Sequence, residues 1–190
     1  MSIADYVVLN VPGYTNSGPS HWQTLWERSD PTHFRRVEQA DWEHPDPEQW
    51  CDALVAAVAR APEPRILLVG HSLGAVTIAR AARTIHDRRV GGALLVAPCD
   101  VDRPDALAPL VPFAPMPRDP LPWPAILVAS TDDPYLSVDR ARDLAHSWTA
   151  RLEVMEAAGH INTASGHGPF AVGERWLNEL AGAALKDVNP

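Results

Sequence analysis

The sequence predicts a single α/β domain, with a mostly parallel central sheet of about six strands and helices on both faces. Three observations predict it. Segments that look like strands alternate with segments that look like helices along the whole chain. The strand-like segments are apolar throughout rather than at every second residue, as strands covered on both faces must be. And 190 residues is the length of one domain, long enough to bury a core without disulfides or metal.

The elements follow in order. Tyr6-Val7-Val8-Leu9-Asn10-Val11 is an apolar, β-branched run stopped by Pro12-Gly13, hence a buried strand and a turn. Residues 20–28 form a helix with Trp22, Leu25 and Trp26 on one face, and a brief strand follows near 35–38. Asp46-Pro47-Glu48-Gln49 opens a stronger helix, with a capping residue, a proline at the first position and an early acid. Its apolar face is Trp50, Leu54, Val55 and Val58, and it stops near Pro62. Strands are expected at 65–69, 92–97, 124–129 and 151–155, and helices at 73–86, from Ser137 to about 148, and from about 170 to 185. Right-handed crossovers should connect the strands. Residues 98–124 hold nine prolines and can continue neither a helix nor an inner strand. Leu107, Leu110, Val111, Phe113 and Leu121 punctuate the segment, so it reads as an ordered surface excursion. It either walls a substrate site or lies apart from one.

Composition removes several classes of function. The apolar share of 46% and charged share of 21% are ordinary for a globular chain. No apolar run approaches the roughly 20 residues a membrane helix needs. The N-terminus lacks a basic stretch followed by an apolar one, so no secretory signal is expected and the cytoplasm is the default location. Cys51 and Cys99 are too few for a disulfide framework. The eight histidines are scattered without His-Glu-x-x-His spacing, so no metal site is expected. A net charge of −8 argues against nucleic acid, and Arg35-Arg36 and Arg88-Arg89 read as solvated surface pairs.

Gly70-His71-Ser72-Leu73-Gly74 carries the chemistry. Gly-x-Ser-x-Gly is expected by chance about 0.03 times in a chain of this composition. It also lies between a strand and a helix, where a nucleophile elbow must lie. The serine occupies a strained turn at the sheet edge, and its neighbours two residues away come too close to carry side chains. The following helix aims its free N–H groups at the site, so Leu73 N–H can hold an oxyanion. Serine needs a base, and the base needs an orienting acid, downstream in the order Ser, Asp or Glu, His. Asp132 and Asp133 follow the fourth long strand; Asp133, beside Pro134, is the chosen acid. His160 follows the fifth, on a loop opened by Gly159, and is the chosen base, with His167 as its competitor. His71, inside the elbow, should shape it. The second oxyanion donor should come from the loop after the first strand, where Tyr14 N–H is best placed and Gly13 permits close approach. His21, Trp22, His71 and Tyr135 complete the pocket candidates, although Trp22 could equally belong to the core.

Together these pieces resemble the small α/β-hydrolases of the retinoblastoma-binding-protein-nine-like and YdeN-like serine hydrolase family. The matching segments are Val11-Pro12-Gly13, Gly18-Pro19-Ser20-His21-Trp22, Gly70-His71-Ser72-Leu73-Gly74, Ser130-x-x-Asp133-Pro134-Tyr135, Gly159-His160-Ile161-Asn162 and Ser165-Gly166-His167-Gly168-Pro169, which span nearly the whole chain. The resemblance implies an α/β-hydrolase fold without a large cap domain, and a triad of Ser72, Asp133 and His160.

The expected reaction is hydrolysis of a small carboxylic ester or thioester through an acyl-enzyme, without cofactor or metal, on a small-molecule substrate. A small amide or peptide substrate is an alternative. A different reading keeps the scaffold as a protein-binding module, but such a chain would usually have lost a triad member or the elbow glycines. A nucleotide-binding flavodoxin-like domain would share the sheet, yet the chain has no Gly-x-Gly-x-x-Gly or Gly-x-x-x-x-Gly-Lys loop. Oligomeric state and physiological substrate leave no signature in the sequence.

Overall fold

The computed structural model describes residues 5–183. Six strands form one sheet: β1 (Val7–Val11), β2 (Phe34–Arg36), β3 (Ile66–His71), β4 (Val90–Val96), β5 (Ala125–Ser130) and β6 (Arg151–Met155). Their order is β2-β1-β3-β4-β5-β6, and every neighbouring pair is parallel. The helices are α1 (Trp22–Ser29), α2 (Pro47–Arg60), α3 (Leu73–Ala81), α4 (Val138–Trp148) and α5 (Ala171–Ala183). None among the described residues is long and apolar enough to cross a membrane.

Alternating strand residues feed two cores. Val7, Leu9, Ile66 and Leu68 pack with Trp50, Leu54 and Val58 of α2, the apolar length of α3, and Leu144 and Trp148 of α4. Val8, Leu67, Val69 and Leu94 pack on the other face with Trp22 and Trp26 of α1 and with Trp176, Leu177 and Leu180 of α5. The central strands are buried on both sides, which is why they carry no polar alternation.

The helix starts follow capping chemistry. Asp46 accepts from Gln49 N–H at 2.9 Å ahead of Pro47, and Ser137 accepts from Arg140 N–H at 3.2 Å. α3 stops at Ala81, short of the expected 86. Both the N–H and the hydroxyl of Thr84 turn back to Ala81 O at 2.9 Å, replacing the helical ladder with a tight turn. β2 is three residues long and begins one residue early. The last helix runs to Ala183, and its expected end at 184–185 lies outside the described residues.

The proline-rich excursion is well anchored. Leu110, Phe113, Met116, Leu121 and Trp123 enter the first core. Trp148 Nε1–H donates to Pro117 O at 2.9 Å, and Met116 N–H donates to Asp102 Oδ1 at 2.9 Å.

Two arginines expected on a solvated surface do structural work instead. Arg36 is 14% exposed and pairs with Glu27 at 2.8 Å. It also donates to Asn16 Oδ1, Ser17 O and Thr24 Oγ1, fixing the loop after β1 to α1. Arg89 pairs with Asp87 at 2.6 Å and donates to Val58 O at the end of α2. A planar guanidinium with five donors can collect several carbonyls at once, so a short basic pair need not be a surface feature.

β1 sits between β2 and β3, so the chain leaves β1 in one direction and returns on its other side. The loops after β1 and β3 therefore part around a crevice at the carboxyl edge of the sheet, where open α/β folds hold ligands.

Candidate active site

Ser72 stands at the junction of β3 and α3 with φ 53° and ψ −120°, a left-handed backbone that a non-glycine residue adopts only when its surroundings impose it. The surroundings are close backbone contacts. A Cβ on Gly74 would lie 1.9 Å from Val11 O, and one on Gly70 would lie 2.6 Å from the backbone of Ala75. A Cβ on Gly13 would lie 2.9 Å from Ser72 Cβ. Glycine at these three positions lets the β1 loop, the elbow and the start of α3 meet.

The structure brings Ser72, His160 and Asp133 together. Ser72 Oγ lies 2.9 Å from His160 Nε2. His160 Nδ1 lies 3.0 Å from each oxygen of Asp133. The Asp133 side chain is fully buried and also accepts from Tyr135 N–H at 2.9 Å. The carboxylate therefore fixes the proton on Nδ1 and leaves Nε2 as an acceptor for the serine hydroxyl. His167, the competing base, instead packs edge-on against Phe170.

Asp132 turns the other way. Its Oδ1 accepts from Ser130 Oγ at 2.7 Å and from Gly159 N–H at 2.6 Å, and these bonds, the serine hydroxyl first, hold its carboxyl below the usual range. Ala158 N–H reaches Ser130 Oγ at 2.8 Å, and Ala157 N–H reaches Thr131 Oγ1 at 2.9 Å. The loop after β5 thus holds the histidine loop in place. The second loop needs holding, because Ala157, Gly159 and Ile161 all have positive φ.

The opposite side is held from α1 and the elbow. Trp22 Nε1–H donates to Ile161 O at 2.9 Å, and His71 Nε2–H donates to His160 O at 2.9 Å. Complete burial, then the neighbouring His160 and His21, keeps the His71 imidazole neutral, its pKa far below the ordinary value. Trp22 is a correction to the pocket candidates. It is fully buried in the second core and braces the histidine loop from behind.

A cavity of about 200 Å³ opens over Ser72, with Gly13, Tyr14, His21, His71 and Tyr135 on its wall. The Tyr135 ring packs edge-on to His160 with centroids 4.6 Å apart. Leu73 opens α3, so its N–H has no carbonyl one turn back within the helix. In the β1 loop, Thr15 N–H goes to Trp42 O and Asn16 N–H to Gly13 O. A Cβ on Gly13 would also lie 3.4 Å from Leu73 N, so the loop after β1 and the start of α3 meet beside Ser72.

Six wall residues were not singled out from the sequence: Thr15, Asn16, Cys99, Leu107, Leu110 and Asn162. Cys99 lies three residues after β4, at the same carboxyl edge as the other site residues, and that position was its signal. Its thiol is pushed up to about 12 by burial, so it is not a rival nucleophile. Leu107 and Leu110 come from the proline-rich excursion. Among the described residues, no group of three or more His, Cys, Asp or Glu is placed to hold a metal ion.

The serine hydrolase family model matches residues 8–179. A YdeN-like hydrolase from Pectobacterium atrosepticum is similar at 30% identity with a TM-score of 0.83, covering 96% of this chain and 94% of that one. The ydeN gene product of Bacillus subtilis shares the fold at 21% identity with a TM-score of 0.73, covering 93% and 98%. The N-formylmaleamic acid deformylase of Pseudomonas putida shares it at 18% identity with a TM-score of 0.68, covering 87% and 90%. No curated protein matches the chain by sequence. With the family match running from β1 into α5, and a YdeN-like hydrolase superposing over nearly its whole length, the chain belongs to the serine hydrolase family, among the YdeN-like α/β-hydrolases.

Proposed function

We propose that this hydrolase cleaves a small carboxylic ester or thioester through an acyl-enzyme on Ser72. The observation that carries the reading is the unbroken hydrogen-bonded line from Ser72 Oγ through His160 to buried Asp133. Ser72 Oγ attacks the carbonyl carbon while its proton passes to His160 Nε2. The carbonyl oxygen becomes an oxyanion between the N–H groups of Leu73 and Tyr14. Collapse expels the alkoxide or thiolate, which takes the proton from His160. Water activated by the same imidazole then releases the acid and restores the serine. Asp133 holds the imidazole tautomer and stabilises its cation. The cavity of about 200 Å³ suits a short acyl group rather than a long chain.

The test is labelling by a fluorophosphonate probe, with folded Ser72→Ala as control, followed by a screen of ester, thioester and amide substrates. Labelling that depends on Ser72, and a loss in kcat of at least about 10³-fold in Ser72→Ala, are expected. A well-folded wild type that neither labels nor turns over any substrate would overturn the reading in favour of a binding role.

A further inference from the structure

The cavity over Ser72 has two unlike sides. Leu107, Leu110, Cys99 and Tyr135 make one side apolar. Thr15, Asn16, His21 and Asn162 make the other polar, and these same four residues also line an adjoining cleft of about 400 Å³. Among the described residues, neither wall carries Asp, Glu, Lys or Arg.

The polar side is rich in donors. Asn16 Oδ1 is taken by Ser17 N–H at 2.7 Å and by Arg36 Nη1 at 2.9 Å. Asn162 Oδ1 is taken by Ser165 N–H at 3.1 Å and by the Ser165 hydroxyl at 3.2 Å. Each amide is thus left with its NH₂ group to offer. His21 makes the case sharper. Its Nδ1 accepts from Gln23 N–H at 3.3 Å and caps α1, which puts the ring proton on Nε2. That Nε2–H is buried, in a residue only 6% exposed, and has no hydrogen-bond partner among the described residues. Burial, then the charges of Arg36 and His160, lower the ring's pKa to about 4, so it is a neutral donor at ordinary pH. A buried donor without an acceptor is costly, and such a group beside a reaction centre marks a place where a ligand atom completes the bond.

Resting on the serine-hydrolase reading above, we propose that His21, with the amide groups of Asn16 and Asn162, forms a leaving-group subsite that selects esters bearing an uncharged acceptor oxygen a few bonds beyond the scissile one. His160 gives its proton to the departing oxygen, so the leaving group exits on the His160 side. Asn162 is two residues from that imidazole, and the His21 ring packs on His71 at 4.7 Å between centroids, with the His160 ring 4.9 Å beyond. The acyl group then takes the Leu107 and Leu110 side. An ether, carbonyl or hydroxyl oxygen in the leaving group meets the Nε2–H, whereas a methylene there leaves it unpaired.

The experiment compares kcat/KM for 2-methoxyethyl butyrate and n-butyl butyrate, which differ by an oxygen in place of a methylene. The ratio of the two in each protein cancels general effects of folding and of the triad. His21→Asn keeps an oxygen near the Nδ1 position to cap α1 but removes the distal donor, so the ratio should fall about fivefold to tenfold. His21→Gln keeps a distal donor and loses the cap, so the ratio should stay near that of the wild type while Tm drops. Turnover of both esters with a ratio unmoved in His21→Asn would overturn the subsite alone and leave His21 as a cap and packing residue. No turnover of either ester by a wild type whose Ser72 fails to label would sink the hydrolytic reading and the subsite with it.

Discussion

Two adjacent carboxylates on one short loop have different work. Asp133 is buried against His160, whereas Asp132 is exposed and ties Ser130 and Gly159 together. Asp133→Asn should lower kcat by about 10³ to 10⁴-fold with little change in fold, because an amide can favour the wrong imidazole tautomer. Asp132→Ala should cost less than about tenfold, since Ser130 and Thr131 still hold the histidine loop. Steady-state kinetics on the pair checks both, and equal losses would contradict the division. The sequence made a carboxylate at this sheet edge legible, because the motif demands one there. The partner of Asp132 is a backbone N–H 27 residues away, and no local pattern reports such a bond. His21 was visible as a residue near the pocket for the same reason Trp22 was, and only packing separates the ring on the cavity wall from the one buried behind it.

Backbone contact, rather than side-chain chemistry, decides which glycines matter among the elements. Gly74→Ala would press a methyl into Val11 O, so it should destabilise by about 3 kcal/mol or more, or prevent folding. Gly18→Ala meets nothing within 4 Å among the described residues and should leave the melting temperature within about a degree or two of the wild type. Thermal unfolding of the two variants gives a direct contrast, and a benign Gly74→Ala would mean that β1 and α3 are less closely apposed than described. The strands were readable because burial on both faces leaves a continuous apolar run, and α2 and α4 because Asp46 and Ser137 cap them in the usual way. The cap of α1 was not readable, since histidine rarely serves there. The early end of α3 was hidden for a related reason: Thr84 competes for a carbonyl only once the turn has formed.

For the molecule as a whole, two buried neutral imidazoles make stability depend on pH. His21 takes a proton near pH 6.5 when unfolded but only near 4 when folded, because burial, Arg36 and His160 oppose the charge. Between those values the unfolded chain binds more protons, so stability is complete above about pH 6.5 and falls as pH drops toward 4. His21 alone should contribute roughly 3 kcal/mol to that loss, and His71 acts in the same direction. Urea unfolding at pH 7.5 and 4.5 should show the fall, and His21→Gln should make it shallower. A midpoint unchanged with pH would show that the rings accept charge in place. The order of the site along the chain has a further consequence, during synthesis. Ser72 and His160 are 88 residues apart in sequence, so at about 5–20 residues per second the ribosome takes roughly 4 to 18 seconds to make the second after the first. Throughout that interval the emerging chain carries its serine without a base, and the hydroxyl is no more reactive than any other. Nucleophilic power arrives only with β6 and the loop beyond it, when nearly all of the domain exists to enclose it.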